Sequence, residues 1–431
     1  MDRRTDENRG PGMLKGIFPR NLLGNLQTIR SLKNPVFRLY LGAMLSQMAS
    51  MNMQMMARSL LLYRVTDSAT LLGVMALANA LPMLFLSMFG GVIADRLPKK
   101  KVLLVGQTGS AIISLAVTIT LVFDILSADR ANSWLILVVA ALLQGIVQGL
   151  MMPSRQAMVA EIVGEEQLMN AMALYIFGVN ILRMGAPAIA GLVIDLFGFE
   201  AVYAIVTGLY VLALVFIVLV PHSGTSTMIE KGDGPLADLV DGLRFVRRET
   251  TILLLLIVNL FMVLLSMPYM QLLPIFTEDI LHVGATGMGV LIGASGVGAV
   301  VGSLVLASLP NRRRGLMLLL SGVILGLSLT AFSFSTWLYL SLALMVFLGV
   351  GLAGRSTLGV SLLQIYVPSN YRGRVISIYQ MEFGLTSFAV FFAAILTESI
   401  GVQWAVGGLA ITLATLSILS IVFVSSIRKL D

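Results

Sequence analysis

Apolar positions along this chain come in long unbroken runs, and the polar positions gather in short segments between them. A helix needs about 20 consecutive apolar residues to cross a bilayer. The pattern therefore predicts twelve membrane-spanning helices, at residues 37–62, 69–94, 102–126, 134–152, 168–196, 201–220, 252–276, 284–309, 316–334, 337–365, 375–397 and 404–427. Ten-residue stretches of alternating character, the mark of a membrane β-barrel, do not occur. The first run starts near residue 36, after a polar segment, and no small-residue cleavage pattern follows it. It reads as a retained helix rather than a signal peptide.

Composition agrees with lipid as the main solvent: 57% of the 431 residues are hydrophobic, 12% are charged and the mean hydropathy is +0.92. The chain has no cysteine, which excludes disulfides, thiolate metal sites and cysteine nucleophiles. His222 and His282 follow no ligand spacing, so neither a metal nor a cofactor is expected. With the amino terminus placed inside, only Arg64 and Arg130 among the loop-borne basic residues fall outside. Basic residues collect on the cytoplasmic side of membrane proteins. Both termini are thus expected in the cytoplasm, and the net charge of +7 is topological rather than a sign of nucleic-acid binding. Gly349-Val-Gly351-Leu-Ala-Gly354 fits a dinucleotide fingerprint but lies inside a predicted span with no preceding strand, so it reads as helix packing. There is no phosphate loop of the form G-x-x-x-x-G-K-[ST].

The chain also repeats itself. Leu97-Pro98-Lys99-Lys100-Lys101 returns as Leu309-Pro310-Asn-Arg312-Arg313-Arg314, and Met53-Gln54 returns as Met270-Gln271. The natural division is a cytoplasmic segment at 1–35, a six-helix bundle at 36–220, a polar connection at 221–251 with an amphipathic helix around 236–246, a second bundle at 252–427 and a tail at 428–431. The connection either ties the bundles together on the cytoplasmic face or is a passive linker.

The loop Gly91-Val-Ile-Ala-Asp95-Arg96-Leu-Pro98-Lys99-Lys100 resembles the signature G-x-x-x-D-R-x-G-[RK]-[RK] between helices 2 and 3 of the major facilitator superfamily. Phe37-Arg-Leu-Tyr-Leu-Gly, Pro153-Ser-Arg-Gln-Ala and Tyr371-Arg-Gly-Arg374-Val are similar to the branch holding enterobactin-type siderophore exporters and macrolide efflux proteins. The resemblance implies a secondary active transporter of small organic molecules, coupled to protons, working as a monomer in a bacterial inner membrane. It implies that Asp95 faces the amino terminus of the eleventh helix when the inside is closed. Arg96, Lys99 and Lys100 would anchor the loop to carboxylates such as Glu161, Glu165 and Glu166. Two departures stand out: Pro98 replaces the family's glycine, and Ala307 sits where the second copy would carry its acid. Gly178, Gly185, Pro187 and Gly191 partly match the glycine- and proline-rich fifth helix of exporters, although generic helix packing gives the same composition and leaves import open.

Ionisable groups inside spans are costly and ask for a reason. Arg183 lies roughly 22 Å along the fifth span at 1.5 Å per residue, either facing a central cavity and an acidic substrate or paired between helices. Glu382 is the only acid well inside a predicted span, and Arg355 is placed to pair with it. A pair fixes its charge, whereas an unpaired Glu382 is the candidate proton carrier. Arg58 is expected to snorkel to the interface. Asp124 and Asp195 lie near outer helix ends, as parts of an outer gate or as solvated boundary charges. Asn79, Gln144, Gln54 and Gln271 are candidate cavity amides, alongside a methionine-rich first span suited to bulky, varied ligands. A membrane enzyme would want paired acids or nucleophile–base sets within the spans, and a scaffold would leave the Asp95 loop without a task.

Overall fold

A computed structural model describes residues 31–221, 235–309 and 312–431, and among these every regular element is helical. The first half holds α1 (Pro35–Thr66), α2 (Ala69–Arg96), α3 (Lys99–Val122) and α4 (Leu135–Leu219). A connecting helix, α5 (Pro235–Arg248), leads to the second half. That half holds α6 (Thr250–Ser266), α7 (Pro268–Ile275), α8 (Gly284–Ser308), α9 (Arg314–Ser333), α10 (Leu338–Tyr366), α11 (Ser369–Gln380), α12 (Glu382–Ile400), α13 (Val402–Phe423) and the short α14 (Ser425–Arg428).

Among the described residues, ten helical segments are long and apolar enough to cross a membrane. One of them, Gln167–Leu219, runs for 53 residues and bends at Gly198, whose φ of 83° lies in the left-handed region that suits glycine. The more polar α1 is not among the ten. The fourth predicted span, placed at 134–152, continues as helix to Gly164. Pro153 does not end it, since neighbouring helices in a bundle can satisfy the carbonyl that a proline leaves unpaired. Gly164, at φ 70°, does. The seventh span is also irregular, breaking between Met267 and Pro268 and closing in a single π-turn at Phe276–Ile280.

The connecting helix falls where the amphipathic segment is expected, while residues 222–234 lie outside the described residues. It docks on the second half. Phe245 stacks on Tyr371 of α11 at 4.2 Å between ring centroids, and Asp241 accepts a 2.6 Å hydrogen bond from Arg374.

The halves meet along two helix pairs. The second leg of α4 crosses α8, where Gly289 lies under the Pro187 backbone and Gly191 under that of Ala285. α2 crosses α12, where Gly73 lies against Phe391 and Gly384 against Leu84. Absent side chains let backbones approach, which is how helices gain contact in lipid.

Candidate functional site

Side-chain hydrogen bonds and ion pairs that cross between the halves, among the described residues, all lie at one end of the bundle. That end carries Asp67, Asp195, Glu278, Asp279 and Glu398. Arg64, at the close of α1, grips Glu278 with two parallel bonds, Nη2 to Oε1 at 2.9 Å and Nε to Oε2 at 3.2 Å. Its guanidinium also lies 5.5 Å from the centroid of Phe199. The Tyr63 hydroxyl donates to Asp279. Asp195, at the end of the second α4 leg, accepts from the Thr286 amide in the first turn of α8 at 2.7 Å. Glu398, at the end of α12, accepts from the Thr70 amide in the first turn of α2 at 2.9 Å and from Ser68 at 2.7 Å. Each of these last two carboxylates thus caps a helix amino terminus of the opposite half, where free N–H groups and the helix dipole favour an anion by about 0.3–1 kcal/mol.

This seal contains Asp195, which the sequence offers for an outer gate, and residues that sequence reasoning missed: Tyr63, Arg64, Glu278, Asp279 and Glu398. Asp124 takes no part in these bonds, and its positive φ of 50° belongs to a turn. A usable signal existed, because Arg64 stands at the end of the first predicted span and Glu278 and Asp279 just past the end of the seventh, charges of opposite sign at corresponding places in the two repeats.

Deeper in, the approach of the halves at glycines ends with Gly296 against Met184 and Gly384 against Leu84. Arg183, next to Met184, is exposed and lies within electrostatic reach of the buried Tyr269 of α7. It therefore stands at the cleft between the halves. Of the four positions in the exporter-like stretch, Pro187 and Gly191 form the crossing with α8, Gly178 receives Leu45 of α1, and Gly185 has nothing within 4 Å of where a side chain would begin.

Arg355 and Glu382 sit together in the second half, Nη1 to Oε1 at 3.0 Å and to Oε2 at 3.3 Å, with side chains only 6% and 4% exposed. Tyr379 is within hydrogen-bonding reach of both. Glu382 begins α12 just past the break at Met381, so its carboxylate also sits at a helix amino terminus.

The first half has a different interior. Tyr210 donates to Gln54 at 3.0 Å and receives Gln144 at 3.4 Å, and Gln144 reaches Ser110 at 3.2 Å. Separately, Thr207 donates to Ser114 at 2.9 Å. Arg58 corrects an expectation: it does not snorkel outward but turns its Nε into this interior, beside Tyr203 and Tyr210. Asn79 ties α2 to α4 through the Ala141 carbonyl at 3.0 Å, while Gln271 is half-buried on α7.

At the opposite, basic end, Lys99 opens α3 and pairs with Glu161 on the first leg of α4. Lys100 does not take a carboxylate. Its Nζ donates to the carbonyls of Val218 at 2.9 Å and Val220 at 2.6 Å, where the end of α4 carries unpaired acceptors and the negative end of its dipole. The side chains of Gly91's neighbours Asp95 and Arg96, and those of Glu165 and Glu166, lie outside the described residues, though α2 is helical through Arg96.

The family model described as "Transmembrane secretion effector" matches residues 27–431. The staphyloferrin A transporter of Staphylococcus aureus is 23% identical over 78% of this chain and 83% of its own length. The multidrug efflux pump Tap of Mycolicibacterium fortuitum is 25% identical over 91% and 96%. Macrolide efflux protein A of Streptococcus pyogenes is 23% identical over 92% and 97%. Among solved structures, the nucleoside transporter NupG superposes with a TM-score of 0.69 at 12% identity, covering 91% of this chain and 99% of its own. A bacterial homologue of the lysosomal transporter Spinster does so at 0.65 and 12%, covering 94% and 97%.

Proposed function

This chain belongs to the transmembrane secretion effector family of major facilitator transporters, and we propose that it exports a small organic molecule by alternating access. The observation that carries this reading is the seal at the acidic end, where each half caps a helix of the other. Such bonds close one side of a central cleft and are weak enough individually to part when the halves rock. Basic residues gathered at the other end orient it to the cytoplasm by the positive-inside rule, with both termini inside and the seal outside. The helices then number twelve, counting α1 and treating the bend at Gly198 as a return through the membrane. On this reading the conformation is closed outward, the form that receives cargo from within.

Names of the relatives favour siderophore-like, macrolide or multidrug cargo, and an exposed Arg183 at the cleft favours molecules with an acidic group. Coupling is assigned to protons, with Glu382 as the carrier. Its pairing to Arg355 means that proton uptake must loosen a buried ion pair. The chain acts alone in a bacterial inner membrane on this reading.

The test exploits the absence of native cysteine. A Ser68→Cys/Glu398→Cys pair, oxidised in cells of an efflux-deficient bacterium, is expected to stop dye and macrolide export and to restore it on reduction. Export undiminished by complete cross-linking would defeat the alternating-access role given to this seal.

A further inference from the structure

We propose that the interior of the first half seats a carboxylate of an organic molecule from outside the chain, on Arg58 of α1 beside Tyr203 and Tyr210 of α4. The second half shows what a cation in such a place ordinarily takes. Its buried guanidinium, Arg355, is neutralised by Glu382 of the same half at 3.0 Å. Arg58 lies roughly 12 Å inside the end of α1 at 1.5 Å per residue. Its guanidinium takes part in no ion pair or side-chain hydrogen bond among the described residues, and the groups within its electrostatic reach are two phenols, Tyr203 and Tyr210. A second guanidinium, that of Arg155 on the first α4 leg, is also within reach of Tyr210, and its Nη1 is buried without a partner. Two cations from different helices thus converge on one tyrosine, and neither is bonded to an acid of the chain.

The hydrogen-bond donors point the same way. Arg58 Nε, Arg155 Nη1 and the Tyr203 hydroxyl are buried and lack an acceptor. Unpaired donors and uncompensated charge are both costly inside a membrane. Water would satisfy the donors and leave the charges standing, whereas a carboxylate supplies acceptors and the opposite charge together. The planar fork of an arginine matches its two oxygens. Tyr210 is fixed in place by Gln54 and Gln144, and these three residues are buried with Tyr203, while Arg58 buries its Nε yet stays part-exposed as a residue. These surroundings belong to the first half, unlike those of Arg183, so the seat does not depend on the direction of transport.

Thermal unfolding of the full chain in detergent tests the assignment, in a buffer whose only anion is a bulky sulfonate, with succinate as the probe and its neutral diamide as the control. Succinate is expected to raise the unfolding temperature and the diamide to leave it unchanged. Arg58→Gln removes an uncompensated charge, so without ligand the variant is expected to unfold at a higher temperature than the parent. It is also expected to bind succinate about tenfold more weakly, the worth of one charge-assisted hydrogen bond. Arg155→Gln should weaken succinate in the same direction. A ligand-free Arg58→Gln protein less stable than the parent would overturn the proposal, because the arginine is then satisfied by the fold itself. An unchanged succinate response in either folded variant would overturn the seat. Protection by chloride equal to that by succinate would overturn the carboxylate assignment.

Discussion

The two halves of this transporter share a plan but not an interior. The first sets the buried guanidinium Nε of Arg58 beside neutral hydrogen bonds, Gln54 through Tyr210 to Gln144 and Ser110, whereas the second encloses the paired charges of Arg355 and Glu382. At the acidic end the halves mirror one another instead, Asp195 on the first turn of α8 answering Glu398 on the first turn of α2. Likeness is kept where the halves must meet in register, and it is relaxed inside each bundle. An interface that opens and closes symmetrically needs matched strengths on both helix pairs, while nothing requires matched cores.

The largest effect is expected from the charged core. Glu382→Leu strands Arg355 in a dry site and should cost about 3–5 kcal/mol, read as a lowered unfolding temperature in detergent. Arg355→Met combined with Glu382→Leu should recover most of it, and a single variant as stable as the double would remove the contrast between the cores. Next comes Glu161→Ser, which replaces the acid beside Lys99 by a hydroxyl. The ion pair between Glu161 and Lys99, whose side chain is 8% exposed, is then lost, at about 1.5–3 kcal/mol. Tyr210→Phe leaves Gln54 and Gln144 unjoined and should cost about 1–2 kcal/mol in the same assay. The smallest effects belong to the seal. Asp195→Asn and Glu398→Gln should each weaken the closed state by about 0.3–1 kcal/mol and combine additively. Spin-label distances between α2 and α12 would report both, and a large inequality between the two would break the mirror relation.

Much of the fold was legible because hydrocarbon imposes a single rule, that backbone polar groups be satisfied within the segment. Apolar runs therefore mark helices, and the runs predicted at 168–196 and 201–220 meet at the bend at Gly198. Extent was less legible: proline at 153 suggested an end that bundle packing overrides, and the true stop, Gly164, is a backbone conformation with no hydrophobic signature. Arg355 and Glu382 could be named from sequence because buried charge is rare, yet their contact across α10 and α12 is a tertiary fact. Arg64, Glu278 and Glu398 were passed over because charges at helix ends look solvated until the opposing half is in place. Arg58 misled for a related reason: nearness to a helix end says nothing about which way a long side chain turns, and here it turns inward beside Tyr203 and Tyr210.

Arg183 gives the protein an electrical property. The Arg355–Glu382 pair carries no net charge, so swinging the halves around it does no work against a voltage. A lone cation at the cleft is different, because it takes the potential of whichever bath wets it. Across an inside-negative membrane that difference reaches about 2.3 kcal/mol per 100 mV for one charge. On the proposed reading, an energised cell would hold the empty carrier facing inward, and an anionic passenger on Arg183 would cancel the charge and release the swing.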